Sequence, residues 1–191
     1  MKHVSFNYED KNSLDSAKEK ANKKSYTSKL IQLFTAETDK SKIQIILINL
    51  KKIFPDAIII GTTTAGEISH ATMFDNSTII SLSLFDETKL KADYVENITS
   101  ESGVVLSEKI GGKGIKAAIL LSEGLNGEDY EGFLEGFKAS TPDVIIAGGL
   151  AGDNFQFNET FVFLNDTIYE RGCVAVSFSG EALYVDNRYN L

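Results

Sequence analysis

The stretch that decides the fold is residues 58–67, "IIIGTTTAGE", in which an unbroken apolar run enters a polar loop bracketed by two glycines. An apolar run without polar alternation predicts a central strand buried on both faces. The loop has the glycine spacing of a phosphate-binding loop, but Glu67 follows the second glycine where such a loop carries lysine. The dinucleotide fingerprint G-x-G-x-x-G is also missing. Because a carboxylate repels an anion, the loop favours a small polar or cationic ligand.

The same pattern occurs a second time. "FPDAIIIGTTTAGEIS" contains Pro55 and "TPDVIIAGGLAGDNF" contains Pro142, the only two prolines in the chain, which lie 87 residues apart. The same offset pairs residues 29–30 with 116–117, where two strands are predicted to begin, and Ser13 with Ser100, where two helices are predicted to begin. Residues 94–97, "YVEN", recur 90 residues later as "YVDN". These matches predict two equivalent halves, at about 1–92 and 93–191, within one domain.

Each half ends a predicted buried strand in a glycine loop closed by an acid. If the halves pack with two-fold symmetry, the loops converge at strand ends, where α/β proteins bind ligands. We therefore predict a ligand site made of twelve residues: Gly61, Thr62, Thr63, Thr64, Ala65, Gly66, Glu67, Gly148, Gly149, Ala151, Gly152 and Asp153. The alternative is that each glycine only provides a tight exit from its strand, with positive φ and no binding role.

Periodicity predicts an α/β fold, with mixed β-sheets flanked by helices. Helices are expected at 13–24, 41–54, 103–110 and 129–139, the second amphipathic with Ile43, Ile46, Leu47, Leu50 and Phe54 on one face. Strands are expected at 30–36, 57–60, 117–121, 144–147, 160–164, 168–169, 172–178 and 183–186. The segments 77–85 and 90–96 are predicted to pair with each other. Strand 144–147 is predicted to be buried like 57–60.

Composition excludes several classes of protein. The net charge of −8 disfavours nonspecific binding to nucleic acid or to anionic membranes, which requires basic patches. A single cysteine excludes an internal disulfide and a cysteine-based zinc site. The N-terminus lacks the apolar core of a signal peptide, and no apolar run approaches 18 residues. We therefore expect a cytoplasmic domain.

The sequence lacks the usual signs of a hydrolase. Only His3 and His70 are available as histidine bases, and no G-x-S-x-G nucleophile motif occurs. Cys173 lies within an apolar strand pattern and is interpreted as a small core residue. Glu67 and Asp153 form a possible acid–base pair, but carboxylates among hydroxyls and glycines more readily hold an ammonium or guanidinium group. We expect no enzymatic activity.

The two glycine loops also carry a family resemblance. Residues 61–67, "GTTTAGE", and 148–153, "GGLAGD", resemble the paired motifs of the FIST sensory domain in its N-terminal part, as do "FVFLN" at 161–165 and "GCVAV" at 172–176. The resemblance spans about residues 13–185. It implies a cytoplasmic input module of bacterial signal transduction that binds small ligands such as amino acids. It also implies partners in chemotaxis, cyclic-dinucleotide or histidine-kinase output, and a following C-terminal domain, so we expect the chain to be a fragment of a longer protein.

Three functional hypotheses follow. The first is a non-catalytic sensor that binds an amino acid, with threonine hydroxyls and backbone amides holding its carboxylate and with Glu67 and Asp153 holding its ammonium. The second, implied by members of the family that bind haem and sense nitric oxide, uses His70 as the axial ligand. The third is an interaction scaffold without a ligand. Apart from that haem, no cofactor or metal is expected.

Overall fold

The computed structural model describes residues 1–9, 11–22, 24–69, 72–111, 114–127 and 129–186. The strands are β1 (Lys2–Asn7), β2 (Ser28–Thr35), β3 (Ile58–Thr63), β4 (Glu67–Ser69), β5 (Thr72–Phe74), β6 (Thr78–Phe85), β7 (Lys89–Val95), β8 (Ala117–Ser122), β9 (Ile145–Leu150), β10 (Val162–Leu164), β11 (Thr167–Tyr169) and β12 (Cys173–Ser179). The helices are α1 (Asp15–Asn22), which follows a 3-10 turn at Lys11–Leu14, α2 (Lys40–Ile53), α3 (Ser100–Lys109) and α4 (Tyr130–Ser140). The predicted α/β class with mixed sheets is confirmed.

Two mixed sheets form the centre of the molecule. The larger has the order β1-β6-β2-β3-β10-β11 and the smaller β7-β12-β8-β9. The parallel pairs are β2 with β3 and β8 with β9, and all other neighbours in these sheets run antiparallel. Each parallel pair is joined by a helix, α2 or α4, because parallel neighbours need a crossover connection. A separate hairpin pairs β4 with β5.

The sheets face each other, and the helices cover their outer faces. Between the sheets, Leu30, Ile60 and Val162 of the larger sheet pack with Leu121, Val174 and Val176 of the smaller one. A second cluster joins α1 and α2 to the larger sheet, and a third joins α3 and α4 to the smaller sheet. Because β3 lies between two strands and two packed layers, its continuous apolar sequence is required, as predicted.

Local signals fix the helix ends. The Asp39 side chain caps α2 by accepting from the Ser41 backbone N–H at 2.8 Å. Thr99 and Ser102 form a reciprocal capping box at the start of α3. Asp129 caps α4, accepting from the Gly132 N–H at 2.8 Å. The predicted apolar face of α2 is buried at Ile43, Ile46, Leu47 and Leu50, and Phe54 at its C-cap is 3% exposed.

The two sheets contain the same four-strand arrangement. In the larger sheet the order β1-β6-β2-β3 has helices between β1 and β2 and between β2 and β3. In the smaller sheet β7-β12-β8-β9 has α3 and α4 in the same two positions, with the same relative strand directions. This correspondence supports the interpretation of two equivalent halves, which remains a hypothesis.

Three predictions about strands were wrong. Segments 77–85 and 90–96 do not pair with each other, since β6 and β7 belong to different sheets. The strand predicted at 144–147 is not buried like β3, because β9 is an edge strand whose residues 147–150 are exposed. Residues 183–186 form no strand. Three strands were not predicted: the short hairpin strands β4 and β5, and β1, which lies half-buried at the edge of the larger sheet.

Candidate functional site

The two glycine loops touch each other. The backbone N–H of Gly152 donates to the Thr63 carbonyl oxygen at 2.9 Å. A Cβ atom added to Gly152 would lie 3.1 Å from the Ala65 nitrogen and 3.3 Å from the Ala65 Cβ. The end of β3 and the segment after β9 are therefore in van der Waals contact. The tertiary structure thus brings residues 63–65 of the first loop to Gly152 of the second.

Glu67 organises the first loop. Its carboxylate is 2% exposed and accepts from the Thr64 hydroxyl on one oxygen. The other oxygen accepts from the Ser77 N–H at 3.1 Å and from the Ser77 hydroxyl at 2.7 Å. Glu67 therefore ties the end of the glycine loop to the segment that enters β6.

Asp153 organises the second loop in a different way. One carboxylate oxygen accepts from the N–H groups of Gln156 and Phe157 at 3.1 and 3.0 Å, and the other from Asn158 and Glu159 at 2.7 and 3.3 Å. Burial of this carboxyl opposes ionisation, but these four donors stabilise the charged form and lower its pKa. Residues 154–159 thus wrap around a single buried carboxylate.

The threonine hydroxyls of the first loop have partners within the protein. The Thr62 hydroxyl donates to the carbonyl oxygens of Thr63 and Phe161, both at 3.1 Å. The Thr63 hydroxyl accepts from the Phe161 N–H at 3.0 Å. Thr62 and Thr63 are buried and Thr64 is half-buried, whereas Ala65 and Gly66 are exposed. The exposed residues of the loop are therefore Ala65 and Gly66.

Gly148 and Gly149 lie apart from the loop contact, on the exposed edge strand β9. Gly148 has φ of +149°, and a Cβ there would lie 1.8 Å from the Leu120 carbonyl oxygen, so only glycine fits. Ala151 is 8% exposed and donates its N–H to the Ser122 carbonyl at 2.7 Å. The second motif therefore divides into an edge strand, 148–150, and a loop, 152–153, that reaches the first motif.

A polar cleft opens beside the loops, and the sequence analysis did not identify it. Its volume is about 460 Å³, and it is lined by Asn7, Tyr8, Glu9, Ala36, Glu37, Asn76, Ser77 and Thr78. The cleft lies where β1 and β2, which run in the same direction, reach their carboxyl ends. Strand ends of this kind are common binding sites in α/β sheets. The cleft was not predicted because β1 was not predicted, and β1 leads into residues 7–9 of the cleft lining.

The cleft and the loops share a rim. Ser77 lines the cleft and donates twice to Glu67 of the first loop. Asn76 also lines the cleft, and its side-chain oxygen accepts from the Asn154 amide of the second loop at 3.1 Å. A ligand in the cleft would therefore lie one residue away from both loops.

The cleft wall carries negative charge. Glu37 accepts from the N–H groups of Thr38 and Asp39 and from the Lys42 ammonium at 2.9 Å. Burial of Glu37 opposes ionisation, but these donors outweigh it and lower the pKa of the carboxyl. Glu9, also on the wall, is exposed. The wall therefore holds two carboxylates, of which Glu37 is paired with the Lys42 ammonium.

Cys173 and His3, which were also considered from the sequence, lie outside the two loops and the cleft lining. Cys173 is fully buried, and burial raises the pKa of its thiol. His3 lies in β1, with Nδ1 2.9 Å from the Ser83 hydroxyl oxygen. Within the described ranges no group of three or more histidine, cysteine, aspartate and glutamate side chains is arranged to hold a metal ion. His70, on which the haem hypothesis depends, lies outside the described residues.

Comparison with known proteins identifies the family. No curated protein matches the sequence. The family model for the FIST N domain matches residues 29–190, which include both glycine loops and run from β2 beyond β12. In the described part of the chain, no helix combines the length and the apolar character needed to cross a bilayer. The match covers well over half of the sequence and includes the paired motifs from which the resemblance was inferred, so the chain belongs to the FIST N domain family of sensory domains in signal transduction.

Proposed function

We propose that this domain is a non-catalytic sensor that binds a small zwitterionic metabolite such as an amino acid. The ligand lies in the polar cleft and reaches the exposed tip of the first glycine loop. The observation that carries the proposal is the shared rim, in which Asn76 and Ser77 line the cleft and bond to the second and first loops. A molecule bound there lies beside residues that bond to the loops of both halves of the chain.

Both charged groups of the proposed ligand, its ammonium and its carboxylate, find partners at this rim. Its ammonium is attracted by Glu9 and Glu37 on the cleft wall and by Glu67 behind Ser77. Its carboxylate accepts from the exposed backbone of Ala65 and Gly66. Each charged hydrogen bond contributes about 1.5–3 kcal/mol, so two or three of them are sufficient for binding in the micromolar range.

The remaining predicted site residues hold the loops in place in this proposal. Asp153 and Thr64 have partners that belong to their own loops. Thr62 and Thr63 bond to Phe161, beside β10. Gly152 supplies the contact between the loops. Pre-organised loops lose little conformational entropy when a ligand binds, which increases affinity.

Signalling requires that the ligand bind one arrangement of the loops better than another. The two loops follow strands of different sheets. A ligand that spans the rim therefore shifts the equilibrium between two relative positions of the halves. In the cytoplasm, this change would pass to a signalling output domain, a histidine kinase or a chemotaxis protein.

A thermal-shift screen against the twenty amino acids tests the proposal. We expect at least one of them to raise Tm in a concentration-dependent way, because a ligand that binds only the folded state stabilises it. Absence of a shift with every amino acid would contradict the proposed ligand class.

A matched pair of variants tests the location of the site. Glu9→Gln removes a charge from the cleft wall and should weaken binding of the ligand found in the screen. Glu101→Gln removes an exposed charge from the first turn of α3, outside the cleft, and should leave binding unchanged. Equal effects of the two variants would show that binding does not occur in the cleft.

A further inference from the structure

The outer edge of β9 is open. β9 is the last strand of the smaller sheet, and the N–H groups of Ile145 and Ala151, in β9 and just after it, donate to the carbonyl oxygens of Lys116 and Ser122 along β8. Backbone groups alternate along a strand, so the N–H and C=O groups of Ile146, Gly148 and Leu150 point away from β8. No described strand pairs with them.

The equivalent edge in the larger sheet is covered. β3 pairs on its outer side with β10, antiparallel, with Val162 opposite Thr62, Phe163 opposite Gly61 and Leu164 opposite Ile60. β3 and β9 hold the same position in the shared four-strand arrangement. The fold therefore shows what completes such an edge, an apolar strand that runs antiparallel to it.

An apolar groove lies beside the open edge. It has a volume of about 410 Å³ and is lined by Leu120, Ser122, Tyr130, Phe133, Leu134, Ile146, Ala147, Gly148, Gly149, Leu150 and Cys173. The lining contains no charged side chain. Gly148 leaves one wall open, and Leu134 and Leu150 are 41% and 55% exposed. A groove of this kind accepts an aliphatic side chain from a neighbouring strand.

Natural proteins usually protect an exposed strand edge with lysine, proline, a bulge or a covering segment. β9 has the sequence "IIAGGL", with no charge and no proline. Although the chain as a whole has a net charge of −8, two β9 strands can meet without repulsion between charged side chains on the strands themselves. The edge is therefore self-complementary in charge and in polarity.

We propose that β9 pairs antiparallel with β9 of a second copy of this chain, forming a two-fold dimer with a continuous eight-stranded sheet. The outward-facing residues restrict the register, since hydrogen-bonded pairs form only between residues whose polar groups point across the interface, and only one register pairs all three of them. Gly148 faces Gly148 at the two-fold axis, and Ile146 of each copy faces Leu150 of the other. Leu150 of the second copy then enters the groove beside Ile146 and Phe133. An isologous contact of this kind closes on itself and gives a dimer.

The dimer does not depend on the proposed ligand, because Ile146, Gly148 and Leu150 do not line the polar cleft. Sedimentation or light scattering of the purified chain measures the mass of the species in solution and so detects the dimer directly. We expect a mass of about 42 kDa, twice the 20.9 kDa of one copy, at high protein concentration. Leu150→Lys should shift the species to the monomer mass because it places a charge in the apolar groove.

A matched control tests whether a lysine disrupts the dimer only at the β9 edge or anywhere on the surface. Ile48 on α2 is 52% exposed, close to the exposure of Leu150. It lies on the helix that covers the larger sheet, whereas Leu150 belongs to the smaller sheet. Ile48→Lys should leave the dimer intact. A monomeric parent chain, or a dimer that Leu150→Lys leaves unchanged, overturns the proposal.

A cross-link tests the register independently. The double variant Ile146→Cys, Leu150→Cys places thiols opposite each other across the proposed axis, at a separation that a disulfide can bridge. Oxidation should give a covalent dimer on a non-reducing gel, whereas Cys173 is fully buried and adds no cross-link of its own. A control with cysteines at Ile45 and Ile48 of α2 should stay monomeric on the gel, and equal cross-linking of both variants overturns the proposed register.

Discussion

Gly152 donates its backbone N–H to the carbonyl oxygen of Thr63 at 2.9 Å, which joins the end of β3 to the loop that follows β9. The two residues lie in different halves of the sequence: Thr63 ends β3 of the larger sheet, and Gly152 follows β9 of the smaller one. A buried acid organises the loop on each side of this contact, Glu67 through Ser77 in the first loop and Asp153 through Asn158 in the second. The contact therefore joins two loops that are each ordered by a buried carboxylate.

Replacing Asp153 by Asn should destabilise the protein substantially. The amide retains one acceptor oxygen and turns an NH₂ group toward backbone N–H groups that the carboxylate now satisfies. We expect the free energy of unfolding to fall by about 2–3 kcal/mol, the range for hydrogen bonds to a charged group. Urea denaturation measures the loss. Asp143→Asn, an exposed acid in the turn before β9, is the control and should change stability little.

The contribution of Asp153 should depend on pH. Its pKa is lowered in the folded state by the four N–H donors despite burial, so folding favours the ionised form. The stabilisation is complete above the unfolded pKa of about 3.9 and is lost as pH falls through the lower folded value. The difference in unfolding free energy between the parent chain and Asp153→Asn should be constant near neutral pH and shrink below about pH 4. A difference that grows on acidification would contradict this assignment.

Glu67 should tolerate Gln better than Ala. In Glu67→Gln the amide oxygen can face the Ser77 donors while the NH₂ group faces the Thr64 hydroxyl, which is able to accept. Glu67→Ala leaves these buried groups without a partner and should cost about 2–3 kcal/mol, against about 1 kcal/mol for Gln. Thermal and urea unfolding of the two variants give the comparison. An equal loss for both would mean that the charge, not the hydrogen bonds, holds the loop.

Two glycines in equivalent strands should respond differently to alanine. A Cβ at Gly61 of β3 would lie 2.3 Å from the Leu33 carbonyl oxygen and 2.8 Å from the Phe163 ring, so Gly61→Ala should cost about 3 kcal/mol through overpacking. At Gly149 of β9 no atom lies within 4 Å, and Gly149→Ala should change stability by about 0.5 kcal/mol or less. Urea unfolding under conditions that keep the chain monomeric makes the comparison.

Cys173 should be chemically silent in the folded protein. Complete burial raises the pKa of its thiol and blocks access of a reagent. A colorimetric thiol reagent at mildly alkaline pH should label no cysteine in the native chain and one after denaturation. Rapid labelling of the native chain would show that β12 opens locally and would contradict the burial of Cys173 in the core.

Much of the fold could be predicted from sequence because its strongest elements follow a single local rule. The apolar face of α2 and the apolar run of β3 are set by side-chain periodicity, and Pro55 lies just beyond the C-cap residue of α2, as predicted. The class of the fold and the paired glycine loops were also apparent from these patterns. β1, short and half-buried at a sheet edge, was not predicted, and the cleft that it lines was not predicted either.

Sequence by itself determined the helices and most of the longer strands, where the glycines and acids of the two loops lie, and that the chain resembles a sensory family. Only the tertiary structure decided that β6 and β7 enter different sheets, that β9 is an edge strand, and that Gly152 meets Thr63. The physical reason is the range of the interactions. Periodicity, capping and turn chemistry act over a few neighbouring residues, whereas strand order and loop contact depend on how distant apolar faces pack together.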